Sequence, residues 1–193
     1  LVGPSHFVGF DGVSIYARGA FETPLGPAVI EPAVADRIQD RAPLVTSYPR
    51  AHEREHCLEL QLPFLRRVLP ETPIVPLVMG HQGTATILGL ADALTGALAG
   101  TRALLVASTD LSHYCPEEQA ATLDGRVVDH VNRFDWEGLL GEFERYPERD
   151  RGRYVACGAS AAIAVMRAAR ALGADKAVVL KRADSGDVSG DKT

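Results

Sequence analysis

Cysteine is scarce in this sequence: Cys57, Cys115 and Cys157 are the only three in 193 residues, an odd number at wide spacing. That excludes a disulfide framework as the scaffold and suits a reducing cytosol, so a cytoplasmic protein is expected. Long apolar runs are also absent. The stretches Ala103 to Ala107 and Ala161 to Met166 fall far short of the roughly 20 residues a membrane span needs, and no basic flank precedes an apolar stretch at the N-terminus. Blocks of like charge are missing too. The net charge of −5 comes from acids and bases mixed along the whole chain, which argues against nucleic acid as a partner. Neither repeats nor low-complexity tracts interrupt it.

What is present is enough apolar residue, 46%, to bury a full core in one α/β domain spanning 1–193. Pro73 to Val78, Ala103 to Ala107 and Ala177 to Leu180 read as buried strands, with Leu1-Val2 as the stub of a fourth. Helical spacing occupies Thr84 to Leu98, Glu117 to Phe134 behind Pro116, and the Ala-rich Ala159 to Leu172. Such alternation predicts a mostly parallel central sheet with helices on both faces. Val13 to Ile30 alternates apolar and polar residues around Gly19 and Pro24-Leu25-Gly26, and predicts a β-hairpin excursion. The abrupt opening on Leu1-Val2 and the close on Asp191-Lys192-Thr193 read as those of a domain lacking an N-terminal strand or helix and its C-terminal end.

In open α/β sheets the ligand cleft lies beyond the carboxyl ends of the strands. Two predicted strands lead straight into polar, histidine-bearing segments: Gly3-Pro4-Ser5-His6 after the first, and Ser108-Thr109-Asp110-Leu111-Ser112-His113 after Ala103 to Ala107. One such histidine reads equally well as an ordinary loop residue; two at separate strand ends favour a site. Cys157 opens the Ala-rich helix, where the partial positive charge of a helix N-terminus favours a thiolate, either ligand or nucleophile; the alternative is a small buried hydrophobe. Cys57 and Cys115 open no clear helix and are read as buried hydrophobes.

The letters His52-Glu53-Arg54-Glu55-His56 match the zinc-protease pattern of two histidines four apart with a glutamate general base. Their setting does not. Pro49 and Pro63 leave room only for a short helix, and Glu59 and Leu62 occupy the positions where the extended motif has Gly and His. A zinc protease is therefore the least favoured reading, and His52 is expected to point away from any site.

Gly3-Pro4-Ser5-His6, Glu55-His56-Cys57-Leu58-Glu59-Leu60-Gln61-Leu62-Pro63-Phe64, Ser108-Thr109-Asp110-Leu111-Ser112-His113-Tyr114, Ala156-Cys157-Gly158 and Ser185-Gly186-Asp187-Val188-Ser189-Gly190-Asp191 together resemble the Memo family, whose bacterial and archaeal members are also called AmmeMemoRadiSam system protein B. The five motifs occur in order over nearly the whole chain. Two features depart from the pattern: Cys57 stands where many members have serine, and a Pro-His-Ala-Gly-Tyr type segment is missing.

The family is similar in fold to class III extradiol ring-cleaving (LigB-like) dioxygenases, which hold Fe(II) on two histidines and a glutamate. The resemblance implies that His6, His56 and Cys157 are metal ligands, with Cys157 in the place of the carboxylate. It further implies His113 as the catalytic acid/base, with Asp110 beside it to orient the imidazole, and Ser5, Tyr114 and Asp187 as substrate-binding. Iron is the first expectation for the metal, with copper or zinc as alternatives because thiolate is a softer ligand. The implied activity is non-heme, dioxygenase-like redox chemistry on a small-molecule or peptide substrate, in a pathway with a radical-SAM partner. The alternative is a non-catalytic module that binds a metal or a phosphopeptide.

Overall fold

The computed structural model describes residues 1–191. A four-stranded sheet lies at its centre, built from β1 (Val2–Pro4), β2 (Val13–Ile15), β5 (Val45–Thr46) and β6 (Leu77–Met79) in the order β1-β6-β2-β5. The β1/β6 and β2/β5 pairs are parallel and β2/β6 is antiparallel, so the sheet is mostly parallel as expected. Every residue of β1, β2 and β6 is buried, which explains the apolar run of β6; in β2 the polar Ser14 is buried with its hydroxyl donating to Tyr48 O (2.9 Å). The hairpin of the excursion is narrower than 13–30. It pairs β3 (Ala20–Phe21) with β4 (Ala28–Val29), while Val13–Ile15 joins the main sheet. Gly26 closes its turn at φ 96°, a conformation that favours glycine.

Helices flank the sheet. Helix α3 (Thr84–Leu98) buries Ile87, Leu90, Ala91, Leu94 and Leu98, the i, i+3, i+4, i+7 stripe read from its sequence. Helix α7 (Ala159–Ala171) packs against α3 and against β1, its small Ala159, Ala161 and Ala164 allowing close approach. Arg167 of α7 reaches the Leu88 carbonyl (2.8 Å) and Asp92 (2.8 Å) of α3, fixing the pair laterally. Helix α4 (Glu117–Asn132) follows Pro116 as expected. Helices α1 (Pro32–Arg41), α2 (Leu62–Val68), α5 (Trp136–Glu144), α6 (Glu148–Tyr154) and α8 (Gly186–Ser189) complete the set among the described residues. None of these helices is long and apolar enough to cross a membrane.

Three strand expectations change. The strand foreseen over Pro73 to Val78 forms only at Leu77–Met79, because Pro73 and Pro76 have no N–H to give a ladder. Ala103 to Ala107 pairs only at its carboxyl end, where Val2 N donates to Val106 O (2.8 Å) and Ser108 N to Val2 O (2.8 Å). Leu104 stands 66% exposed, since β1 is short and no described strand covers the other side. Ala177 to Leu180 forms no strand; Val178 and Leu180 face solvent without a ladder partner among the described residues.

The pairing of segment 106–108 with β1 has one consequence for function. The carboxyl ends of both point to the same edge of the sheet, so Ser5-His6 and Thr109-Asp110 emerge side by side.

Candidate metal centre

Beyond that edge lies a cavity of about 620 Å³, lined by His6, His56, Cys57, Leu60, Gln61, Ser108, Thr109, Asp110, His113, Tyr114, Gly152, Arg153 and Cys157. The volume suits a small molecule. His6, His56, Cys157, His113, Asp110 and Tyr114 all face it, though they come from four separate stretches of chain. Ser5 and Asp187 are not among the lining residues. The Ser5 hydroxyl donates to Val8 O (2.7 Å), closing the loop that carries His6, and Asp187 exchanges hydrogen bonds with Asp184 at the start of α8.

The residue that organises the histidines is Glu55, which was not singled out from sequence. Its side chain is almost fully buried. Oε1 accepts from His6 Nδ1 (2.8 Å), His56 N (3.0 Å) and Cys57 N (3.1 Å), and Oε2 accepts from His6 N (2.6 Å). Burial alone would raise the Glu55 carboxyl. The hydrogen bonds from His6 and Cys57 and the charge interaction with His6 outweigh it, and the group sits below the ordinary carboxylate range. An ionised carboxylate only accepts, so His6 Nδ1 carries the proton and, in the neutral ring, Nε2 keeps its lone pair. Glu55 is thereby occupied as an orienting group, the role a carboxylate plays behind metal-bound histidines. The His6 and His56 rings stack with centroids 4.9 Å apart and planes 24° from parallel.

Cys157 approaches from the other wall. Asp110 N donates to its Sγ (3.3 Å), Cys157 N donates to Asp110 O (3.2 Å), and Thr109 Oγ1 receives Gly158 N (2.8 Å). Gly158 is required for this approach, because a Cβ there would run into the Ser108 carbonyl. Donor atoms thus fall into two close groups, His6 with Glu55 and His56, and Cys157 with Asp110 and His113, each within 4.8 Å internally. His113 Nε2 stands 3.9 Å from Asp110 Oδ2, too long for a hydrogen bond, and His113 Nδ1 is buried without a partner among the described residues. Tyr114 has φ 55°, uncommon for a residue with a Cβ, and its ring is 90% exposed at the mouth.

The two imidazoles of one group and the sulfur of the other face the same cavity, and nitrogen and sulfur donors of these kinds are ones that iron, copper or zinc accept. Cys57, by contrast, is buried against Ala51, Leu58 and Val78 and donates to Pro4 O (3.3 Å). Burial, then the charge of Glu55, pushes its thiol well above the ordinary range, so it packs as a hydrophobe.

The zinc-protease arrangement is absent. Pro49–Ala51 form a single 3-10 turn, no helix covers 52–56, and His56 lies in a turn before a second 3-10 turn at Glu59–Gln61. His52 turns inward to Ser14 Oγ of β2 (2.9 Å) and packs edge-on against the touching rings of Tyr16 and Phe21. Desolvation by burial lowers its pKa to about 4, against weaker raising effects from Ser14 and Glu55. The folded state therefore holds neutral His52. Its stability is complete above the unfolded value near 6.5 and is lost as pH falls toward 4, by about 3 kcal/mol. Denaturant titrations at pH 7 and pH 4 on the parent and His52→Gln should show that difference shrinking in the variant. An unchanged difference would remove His52 as its source.

The Memo-like protein family model matches residues 1–193. Curated relatives include MEMO1 family proteins of Methanothermobacter thermautotrophicus (32% identical, covering 100% of this chain and 68% of the relative) and Methanosarcina mazei (33%, 100% and 70%). Another is from Caldivirga maquilingensis (32%, 98% and 66%), so the chain spans about two thirds of the length of these relatives. With a family match along its whole length and full-chain relatives at this identity, the chain belongs to the Memo-like protein family.

Proposed function

We propose that His6, His56 and Cys157 hold a metal ion, iron first and copper or zinc as alternatives, and that the chain is a metal-dependent, dioxygenase-like redox protein acting on a small molecule. The observation that carries this reading is the Glu55 carboxylate. By accepting from Nδ1 of His6 and from the backbone N–H of His56, this buried acid fixes one ring nitrogen so that the other is free to ligate. When bound, the ion supplies Lewis acidity and open positions for small ligands. The rest falls to the chain. Asp110 N anchors the Cys157 sulfur, His113 is placed to hold or pass a proton at the cavity wall, and Asp110 lies near enough to orient it once a ligand draws the two together.

The 3.9 Å gap between His113 and Asp110 favours a second reading, in which the cavity holds metal without turnover. Anaerobic reconstitution of the purified protein with Fe(II), Cu(I) or Zn(II), followed by metal analysis and oxygen uptake with candidate catechols, separates the two. One equivalent of metal with oxygen uptake supports the first; metal without uptake supports the second. Failure to retain any of the three ions ends both.

A further inference from the structure

Arg153, near the end of α6, is the only lysine or arginine among the cavity-lining residues. Its guanidinium has no ion pair among the described residues. Its NH2 reaches only the Tyr114 carbonyl, at a long 3.4 Å, and its Cζ lies 5.3 Å from the Tyr154 ring. Other arginines are neutralised by a carboxylate: Arg18 by Asp36, Arg167 by Asp92, Arg182 by Asp124. Arg153 keeps its charge unpaired although Asp110, 86% exposed, lines the same cavity. Its backbone is not idle, since Arg153 O accepts from His113 N (2.9 Å), tying this end of α6 to the segment that carries the cavity histidine. A permanent, planar cation held beside Tyr114 and His113 is the type of group that pairs bidentately with an anion.

We infer that Arg153 selects substrate by its charge, and that the ligand of this cavity is a small organic molecule bearing one carboxylate. This rests on reading the cavity as the functional site and adds the substrate class. A carboxylate fits better than a phosphate for two reasons. Only one cation is present and the Asp110 carboxylate would repel a dianion. Arg153 also stands in the last turn of its helix, where the backbone presents carbonyls rather than the N–H groups that phosphate sites use.

The test compares benzoate with benzamide, which share shape and differ in charge, by calorimetry on the parent, Arg153→Gln and Arg153→Lys, with and without Fe(II) under anaerobic conditions. Benzoate should bind the parent at least tenfold more tightly than benzamide. Arg153→Gln should bring benzoate down to the benzamide level, and Arg153→Lys should keep part of the preference, because a lysine retains the charge and loses the fork. Equal binding of the two probes by the parent, or a preference that survives in Arg153→Gln, overturns the inference. Metal content measured on the same samples separates the two claims. A benzoate preference in a protein that retains no iron counts against iron at the site and leaves Arg153 standing; iron retained without the preference supports the metal reading and overturns the inference.

Discussion

His56→Ala should lose metal affinity by roughly two to three orders of magnitude, and His52→Ala should leave it nearly unchanged. The size follows from sharing a total binding free energy on the order of 10 kcal/mol among three or four ligands. The contrast follows from where each ring points: His56 faces the cavity, whereas His52 is spent on Ser14 inside the fold. His52→Ala carries its effect elsewhere. It costs Ser14 one of its two hydrogen-bond partners and leaves a void beside Tyr16 and Phe21, so it should lower stability by about 2 kcal/mol without releasing metal. Metal analysis after dialysis, with denaturation curves on the same preparations, reads both effects. Equal metal loss from the two variants, with His6→Ala harmless, would restore the protease-like ligand set and remove the present one.

Replacing Glu55 with alanine should be the most damaging change outside the ligands themselves. Three backbone N–H groups and one imidazole lose their common acceptor, at a cost of about 3 kcal/mol in stability. Freed of its anchor, His6 should bind metal roughly 10 to 100 times more weakly. Glu55→Gln separates the two effects. The amide can still accept from backbone, so much of the stability should return, but it cannot hold a proton on His6 Nδ1 as a carboxylate does. The affinity should therefore recover less than the stability. Full recovery of both in Glu55→Gln would show that the charge is irrelevant and that Glu55 only packs.

Much of the helical layer was legible because each helix writes its own period. Thr84–Leu98 and Ala159–Ala171 could be read nearly to the residue, since burial of one stripe is a local property of the sequence. Helix α1 was passed over: with Arg37, Asp40 and Arg41 diluting Ala35 and Ile38, its apolar face is two buried residues wide. Strands were less readable for a physical reason. Ala177 to Leu180 has the composition of a buried strand, but a strand exists only with a partner, and no local run of letters says who the partner is. Pro73 and Pro76, without N–H groups for a ladder, are the letters that mark where the Leu77–Met79 strand cannot begin.

The cavity was legible from the rule that ligands gather past strand ends, which brought His6 and the 108–113 segment under suspicion together. Glu55 was hidden by its position. It stood inside a charged stretch where a glutamate reads as solvated, and only the fold reveals that the chain dives inward there to meet His6. Ser5 is a polar residue beside the cavity whose hydroxyl closes its own loop, a local bond that the letters do not reveal.

The contact between His6 and Glu55 joins residues 49 positions apart, and Cys157 reaches the same cavity from a hundred positions further along. No short fragment of the chain can assemble this arrangement ahead of the rest, because each loop must close before the contact repays its entropy. The site should therefore form late in folding, on the native side of the main barrier. An ion that binds there tightens only the finished state. It should slow unfolding and leave the rate of folding almost untouched, so that its presence lengthens the lifetime of the native protein rather than hastening its birth.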